Sequence, residues 1–234
     1  MSEIALPLPP KRLMFNVAMT RDASEFLKVG ERCAGELKAA AAASGLPMTS
    51  ARRILDWGCG PCRTLRWLIA DNDQTDFFGC DVDMRAIDWC LKNARQLAEF
   101  RVTPAKPPLP YADDFFDIIY GVSVFTHINA NYQALWLAEL RRIMKPGALL
   151  MLSLMGSSIG EKLPEPERSQ FMRNGFHFVP SRVWKGIHSE WYADAFQSEQ
   201  YVRDEFSKYL TIVAYHQYGM NGHQDLVVLR KDAG

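Results

Sequence analysis

Ile54-Leu-Asp56-Trp-Gly58-Cys-Gly60-Pro-Cys62-Arg63 is the stretch that decides the fold. Residues 53–57 are short and mostly apolar, as a buried strand is, and run into a Gly-Cys-Gly-Pro turn. A helix is expected from about 63 to 70. Two glycines at a strand-to-helix turn let the backbone approach a ligand closely, and the helix start offers N–H groups to an anion. Asp56, two residues before Gly58, can accept hydrogen bonds from an ammonium group. A second buried strand, Phe77-Phe-Gly-Cys80, ends in Asp81, where a carboxylate can bind both hydroxyls of a ribose. Arg63 stands where the G-x-G-x-x-G of a dinucleotide enzyme needs its third glycine, which argues against a nicotinamide ligand. The plain alternative for this loop is a tight turn with a stabilising aspartate.

Working outward, residues 22–43 read as a helix, with Phe26, Val29, Cys33 and Leu37 at three-to-four-residue spacing, stopped by Gly45-Leu-Pro47. A helix is expected over 84–100, with Asp83 as its N-cap. Strands follow at 116–122 and 148–154, separated by an amphipathic helix over 132–144. This alternation of strand and helix predicts an α/β fold: a doubly wound, Rossmann-like sheet, mostly parallel and covered on both faces. The end of the chain breaks the pattern. A helix over 199–209 leads to a strand at 210–215, a turn around Gly219-Met-Asn-Gly222, and a last strand at 225–229 that must be antiparallel. Some forty residues, 157–197, lack strong periodicity and are rich in aromatics and prolines. Such a stretch inside a compact domain is usually functional, and it reads as an inserted cap over the carboxyl edge of the sheet. The organisation expected is therefore an N-terminal helical lid segment, 1–50, and one domain, 51–234, carrying the cap at about 157–197.

Composition narrows the partners. The chain of 234 residues is 48% hydrophobic and 23% charged, enough to bury a core without disulfides. Lys+Arg and Asp+Glu each total 27, so no net field favours nucleic acid or anionic lipid. The longest strongly apolar stretch, 148–155, is far short of a bilayer span of about 20 residues. The N-terminal Met1-Ser-Glu-Ile-Ala-Leu-Pro-Leu-Pro-Pro lacks a basic start and is broken by prolines, so a cytoplasmic location is expected. Five cysteines are an odd number, which suits reduced thiols. Cys59-x-x-Cys62 is a potential redox or metal pair, but no second pair follows it, and no metal is expected.

An acid at the end of the first strand suits a ligand that carries a positive amino group beside its nucleoside, such as S-adenosylmethionine. The ordered motifs agree. Leu55-Asp-Trp-Gly-Cys-Gly60 and Gly79-Cys-Asp-Val-Asp83 are followed by Pro108-Leu-Pro-Tyr-Ala-Asp113-Asp-Phe-Phe-Asp117-Ile-Ile-Tyr. Ser123-Val-Phe-Thr-His127, Leu140-Arg-Arg-Ile-Met-Lys-Pro-Gly147 and the closing Gly222-His-Gln-Asp-Leu-Val-Val-Leu229 complete the series. On these motifs the chain resembles the class I S-adenosylmethionine-dependent methyltransferases of the bacterial small-molecule type, over about 52–154. The resemblance implies S-adenosylmethionine as cofactor, held by Asp56, Gly58, Gly60, Arg63, Asp81, Val82, Thr103, Gly121 and Ser123. Within that set Arg63 would meet the methionine carboxylate, and residues 121–123 would lie beside the sulfonium. Three positions depart from the family pattern. Cys62 replaces a third glycine and could narrow the methionine pocket, Thr103 stands where many relatives have Asn or Asp, and Phe115 replaces a small polar residue. Asp117 is expected to brace the glycine loop rather than to touch ligand.

All five histidines fall at or beyond the fourth strand. His127 and His223 are the candidate catalytic residues, because an acceptor with an ionisable O–H or N–H needs a base active near neutral pH. His177 and His188 belong to the cap and His216 flanks the last turn. The cap aromatics Phe171, Phe176, Phe178, Trp184, Trp191, Tyr192 and Phe196 either line an acceptor pocket or form the cap's own core. No Asn-Pro-Pro-aromatic tetrapeptide of the nucleic-acid N-methyltransferases follows the fourth strand. The expected function is methyl transfer to a small-molecule acceptor, at an O- or N-nucleophile, by in-line displacement. The alternative of another class is an S-adenosylmethionine-binding regulatory or partner subunit without that activity.

Overall fold

Strand order in the sheet decides where a ligand can sit. The computed structural model describes residues 6–70, 74–179 and 192–233. Its strands are β1 (Arg53–Trp57), β2 (Asp76–Asp81), β3 (Glu99–Val102), β4 (Phe116–Gly121), β5 (Met144–Leu154), β6 (Phe176–Val179), β7 (Asp194–Gln197), β8 (Thr211–Met220) and β9 (Gln224–Arg230). Seven of them form one sheet in the order β3-β2-β1-β4-β5-β9-β8, and β6 pairs with β7 separately. Pairings from β3 through β5 are parallel, while β9 runs antiparallel to both β5 and β8. From β1 the chain winds outward through β2 to β3, then returns to β4 on the other side of β1. That reversal opens a crevice at the carboxyl ends of β1 and β4.

Side chains alternate between two cores, which is why the central strands read as unbroken apolar runs. Ile54, Ile118, Leu149 and Val228 face one side, packed by α2 (Ala23–Ala43), α3 (Leu65–Ile69) and α4 (Met84–Asn93). Leu55, Ile119, Leu150 and Leu229 face the other, packed by α5 (Ala130–Ile143) and α8 (Glu199–Phe206). The helix starts are capped as their sequences imply: Asp22 accepts from Glu25 N at 2.8 Å, Asp83 from Arg85 N at 3.0 Å and Asn129 from Tyr132 N at 3.0 Å.

Several parts of the chain differ from expectation. Residues 99–102 form the edge strand β3 rather than the end of a helix, and α4 stops at Asn93. Only Phe100 of β3 is buried, so the segment carries no periodicity to read. An unexpected helix, α1 (Lys11–Ala18), precedes α2 and buries Leu13 and Met14. α2 itself belongs to the core, with Phe26, Cys33 and Leu37 buried. In the inserted segment, α6 (Ser157–Gly160) and α7 (Glu167–Asn174) lead into β6, and β7 returns against it. Asp117 braces the start of β1 instead of the glycine loop. It accepts from Arg52 N and Arg53 N at 3.0 and 2.8 Å and pairs with Lys145 Nζ at 2.6 Å.

Candidate active site

A cavity of about 480 Å³ opens at the carboxyl ends of β1, β2 and β4. Its floor is the glycine loop. Gly58 and Gly60 hold φ values of 81° and 49°, a region that disfavours any side chain. The loop is tied to β2, since Gly58 N and Cys59 N both donate to Cys80 O, at 2.8 and 3.0 Å. Asp81 completes the tie: its Oδ2 accepts from Gly60 N and its Oδ1 from Asp83 N, each at 2.8 Å. Each carboxylate oxygen still has acceptor capacity beyond these bonds. Thr103 N donates to Asp81 O at 2.9 Å, which brings β3 and the residues after it to the same wall.

Beneath the loop lie an enclosed carboxyl, Asp56, and an enclosed guanidinium, Arg63. Asp56 is 3% exposed, and burial pushes its carboxyl up to about 8 against the opposing pull of Tyr120 and Arg63. The Tyr120 hydroxyl approaches this carboxyl from the neighbouring strand without closing a hydrogen bond of ordinary geometry. Burial in turn lowers the Arg63 guanidinium, partly offset by Cys33 and Asp56.

The opposite wall is built from distant pieces of chain. Ser123 sits just past β4 at φ 61°, its N–H donating to Ser153 Oγ at 2.7 Å and its hydroxyl to Gln224 Oε1 at 3.1 Å. Residues 126–128 lie along the start of β7: Ala193 N donates to His127 O and Ala195 N to Thr126 O. This pairing sets the His127 ring against Tyr192, centroids 4.6 Å apart and 17° from parallel. His127 Nδ1 lies 3.1 Å from Ala193 O and 3.6 Å from Asp194 Oδ1. His223, exposed at the mouth, has Nδ1 3.2 Å from Asn221 O. Asn221 N in turn donates to Glu36 Oε2 at 2.6 Å, which anchors the β8–β9 turn to α2. Leu13, Asn16, Val17 and Met19, in and just after α1, close the cavity from above.

Residues 55–152 match the methyltransferase domain family. That match covers about two fifths of the chain, and the fold around it is the one that S-adenosylmethionine-dependent methyltransferases share. An S-adenosylmethionine-dependent methyltransferase from Methanosarcina mazei superposes with a TM-score of 0.58 at 20% identity, over 78% of this chain and 93% of that one. Another from Clostridium acetobutylicum gives 0.62 at 9% identity, over 86% and 92%. Methyltransferase GfsG of Streptomyces halstedii is 26% identical over 113 residues, 46% of this chain and 39% of GfsG, so the aligned stretch spans about two fifths of that relative.

The residues lining the cavity fit S-adenosylmethionine. The cradle at Gly58 and Gly60 is one that Cβ atoms would obstruct, 2.4 Å from Val124 Cγ2 and 2.7 Å from Val17 Cγ1. Asp56, Gly58, Gly60, Arg63, Asp81, Val82, Thr103 and Ser123 all line the one cavity, together with His127 and His223. Gly121 does not, contrary to expectation. It is packed inside the sheet, where an added Cβ would lie 3.0 Å from Trp57 Cε3 and 3.2 Å from Leu152 Cδ2, and Val122 lines the cavity instead. Cys62 does not narrow the pocket either. Its left-handed backbone, φ 60°, accompanies a side chain buried against Cys90 in the core.

Of the cap aromatics, Tyr192 lines the cavity, while Phe171 packs beneath Gly160 and Phe176 stacks on Tyr201. His177 and His216 are not among the lining residues, and His188, Trp184 and Trp191 lie outside the described residues. Sequence reasoning missed Asp194 and the α1 residues. Tyr192-Ala-Asp194 carries no motif, and its only signal is membership of an aromatic segment too long for a plain loop. Among the described residues no group of His, Cys, Asp and Glu forms a metal site, and no helix is long and apolar enough to cross a membrane.

Proposed function

We propose that the protein transfers the methyl group of S-adenosylmethionine to a small-molecule acceptor through an O- or N-nucleophile, with His127 as the base. The observation that carries this reading is the shared cavity: the Asp81–Gly60 end and the His127–Asp194 end face one space. In this reading Asp81 takes the ribose hydroxyls on its remaining acceptor sites, Val82 and Thr103 flank the adenine, and Asp56 and Arg63 meet the methionine ammonium and carboxylate. The bound cofactor supplies an activated methyl group on its sulfonium.

What remains for the protein is to hold the acceptor in line, exclude water and take a proton. A His127 Nδ1–H donated to Ala193 O makes Nε2 the basic nitrogen of the ring. Nε2 would take the acceptor's O–H or N–H proton as that oxygen or nitrogen bonds to the methyl carbon and the methyl–sulfur bond breaks, leaving S-adenosylhomocysteine. Asp194 and the Tyr192 ring hold the imidazole in that orientation. Ser123, Asn16 and His223 supply polar contacts to the acceptor, and Met155, Ile128 and Met220 supply apolar ones. A mixed wall of this size suits a small organic molecule better than a polymer.

The test has two stages. Calorimetry with S-adenosylhomocysteine measures cofactor binding, and release of S-adenosylhomocysteine from S-adenosylmethionine across a panel of small alcohols, phenols, acids and amines measures turnover. His127→Gln should then lower the single-turnover rate at least a hundredfold with cofactor affinity retained. Tight binding without turnover on any acceptor would support the regulatory-subunit reading instead.

A further inference from the structure

The glycine loop has an underside that the proposed chemistry does not use. Cys62 Sγ lies 3.3 Å from Cys90 Sγ, the first at the end of the loop and the second on α4. Cys90 Sγ and Cys59 Sγ both flank the Gly60 carbonyl, at 3.3 and 3.5 Å. On its other side the Gly60 N–H is held by Asp81. The same residue is therefore gripped by thiols from below and by the ribose-side carboxylate from above.

We propose that Cys62 and Cys90 form a reversible disulfide on exposure to hydroperoxide, and that this bond switches the Gly60 loop between cofactor-binding and non-binding forms. A disulfide needs its sulfurs about 2.05 Å apart. Closing the present 3.3 Å gap must draw the loop and α4 together and replaces the thiol that faces Gly60 O. Displacements on the order of 1 Å are enough to disable a site of this kind.

Chemical roles divide cleanly between the sulfurs. Hydrogen bonds from Cys59 and Cys62 hold the Cys90 thiol below the ordinary cysteine value, aided by the nearby Arg66 charge. The bond to Cys90, followed by burial, pushes Cys62 up. Cys90 is thus the attacking thiolate and Cys62 the resolving thiol. The Cys90 sulfur attacks one peroxide oxygen, an S–O bond forms, the O–O bond breaks, and hydroxide leaves and is protonated to water. Cys62 then attacks the Cys90 sulfenic acid, the S–S bond forms, the S–O bond breaks, and the departing hydroxide takes the thiol proton as a second water. Two sulfur electrons in total reduce one peroxide to two waters.

Access gives the switch a direction. Cys62 and Cys90 are fully buried, whereas Cys59 beside them lines the cavity. A small oxidant reaches the pair through the cofactor's own space, so bound cofactor shields it.

This inference rests on the cavity being the S-adenosylmethionine site, and the experiment separates the two. Reduced protein is first titrated with S-adenosylhomocysteine; a failure to bind there refutes the cofactor reading by itself. Hydrogen peroxide is then added with and without S-adenosylhomocysteine, followed by peptide mass mapping, and binding is measured again before and after dithiothreitol. The expected result is a Cys62–Cys90 linkage two hydrogens lighter, formed at least fivefold more slowly in the presence of the ligand. Affinity should fall at least tenfold on oxidation and return on reduction. Cys90→Ser should lose the peroxide response whatever its own affinity, and the wild-type mapping stands if that variant does not fold. A bond between other cysteines, no bond at all, or unchanged affinity of the cross-linked protein overturns the switch.

Discussion

Asp56→Asn should make the protein without ligand more stable and its cofactor binding weaker. Asp56 is enclosed at the end of β1, and burial raises its carboxyl from the ordinary 3.8 to about 8. A folded-state value above the unfolded one means that the fold keeps a proton which the unfolded chain sheds. The stability linked to Asp56 is therefore whole below pH 3.8 and declines until pH passes about 8. Each unit in that window removes about 1.4 kcal/mol, so at pH 7 the loss reaches about 4 kcal/mol. Asparagine has the same shape and no charge to bury. The substitution should raise stability at pH 7 by up to about 4 kcal/mol, roughly 8–16 °C in Tm, and at pH 5 by less than half of that.

Thermal melts of both proteins at pH 5 and pH 7 measure this contrast. A ligand ammonium beside Asp56 would ionise it, so S-adenosylhomocysteine binding to the wild type at pH 7 should release close to one proton. Calorimetry in two buffers of different ionisation enthalpy reads that release, and in the variant it should vanish along with at least tenfold in affinity. A variant no more stable than wild type at pH 7, or a gain independent of pH, would refute the reasoning.

Asp81→Ala removes an acceptor from both Gly60 N and Asp83 N, so it should destabilise the fold by about 2–3 kcal/mol as well as weaken S-adenosylhomocysteine binding. Chemical denaturation checks the first effect, and an unchanged midpoint would show that the two bonds contribute little. Gly30→Ala puts a Cβ 2.1 Å from the Arg63 backbone oxygen, a contact with no flexible end to yield. It should lower stability by about 1–3 kcal/mol and perturb cofactor affinity by moving Arg63, although Ala is the better helix former. His223→Gln tests whether this residue touches the acceptor or only secures the β8–β9 turn through Asn221 O. Contact predicts a raised KM for the acceptor, while a securing role predicts a lower Tm with kinetics unchanged.

The sequence by itself determined the layered α/β fold and the glycine-loop end of the cavity, because both are encoded over short spans. Apolar strands at 53–57, 116–121 and 148–154 carry their double-sided burial in all but Arg53 and Asp117, and the glycine loop needs positive φ at Gly58 and Gly60 whatever surrounds it. Asp81 follows from its place at the end of the neighbouring strand. Tertiary structure alone decided the rest. Gly30 looks like a poor helix residue until α2 is laid on Arg63, and Cys62 looks like a pocket wall until its backbone turns it toward Cys90. Gly121 gives way to Val122 because the last turn of β4 packs on Trp57 and Leu152. Tyr192 and Asp194 reach His127 across more than sixty residues of chain, through a strand pairing with 126–128 that no local pattern announces. Local periodicity fixes which face of an element is buried. Which distant residue meets that face depends on how the whole sheet twists and closes, and that is settled only when the chain packs.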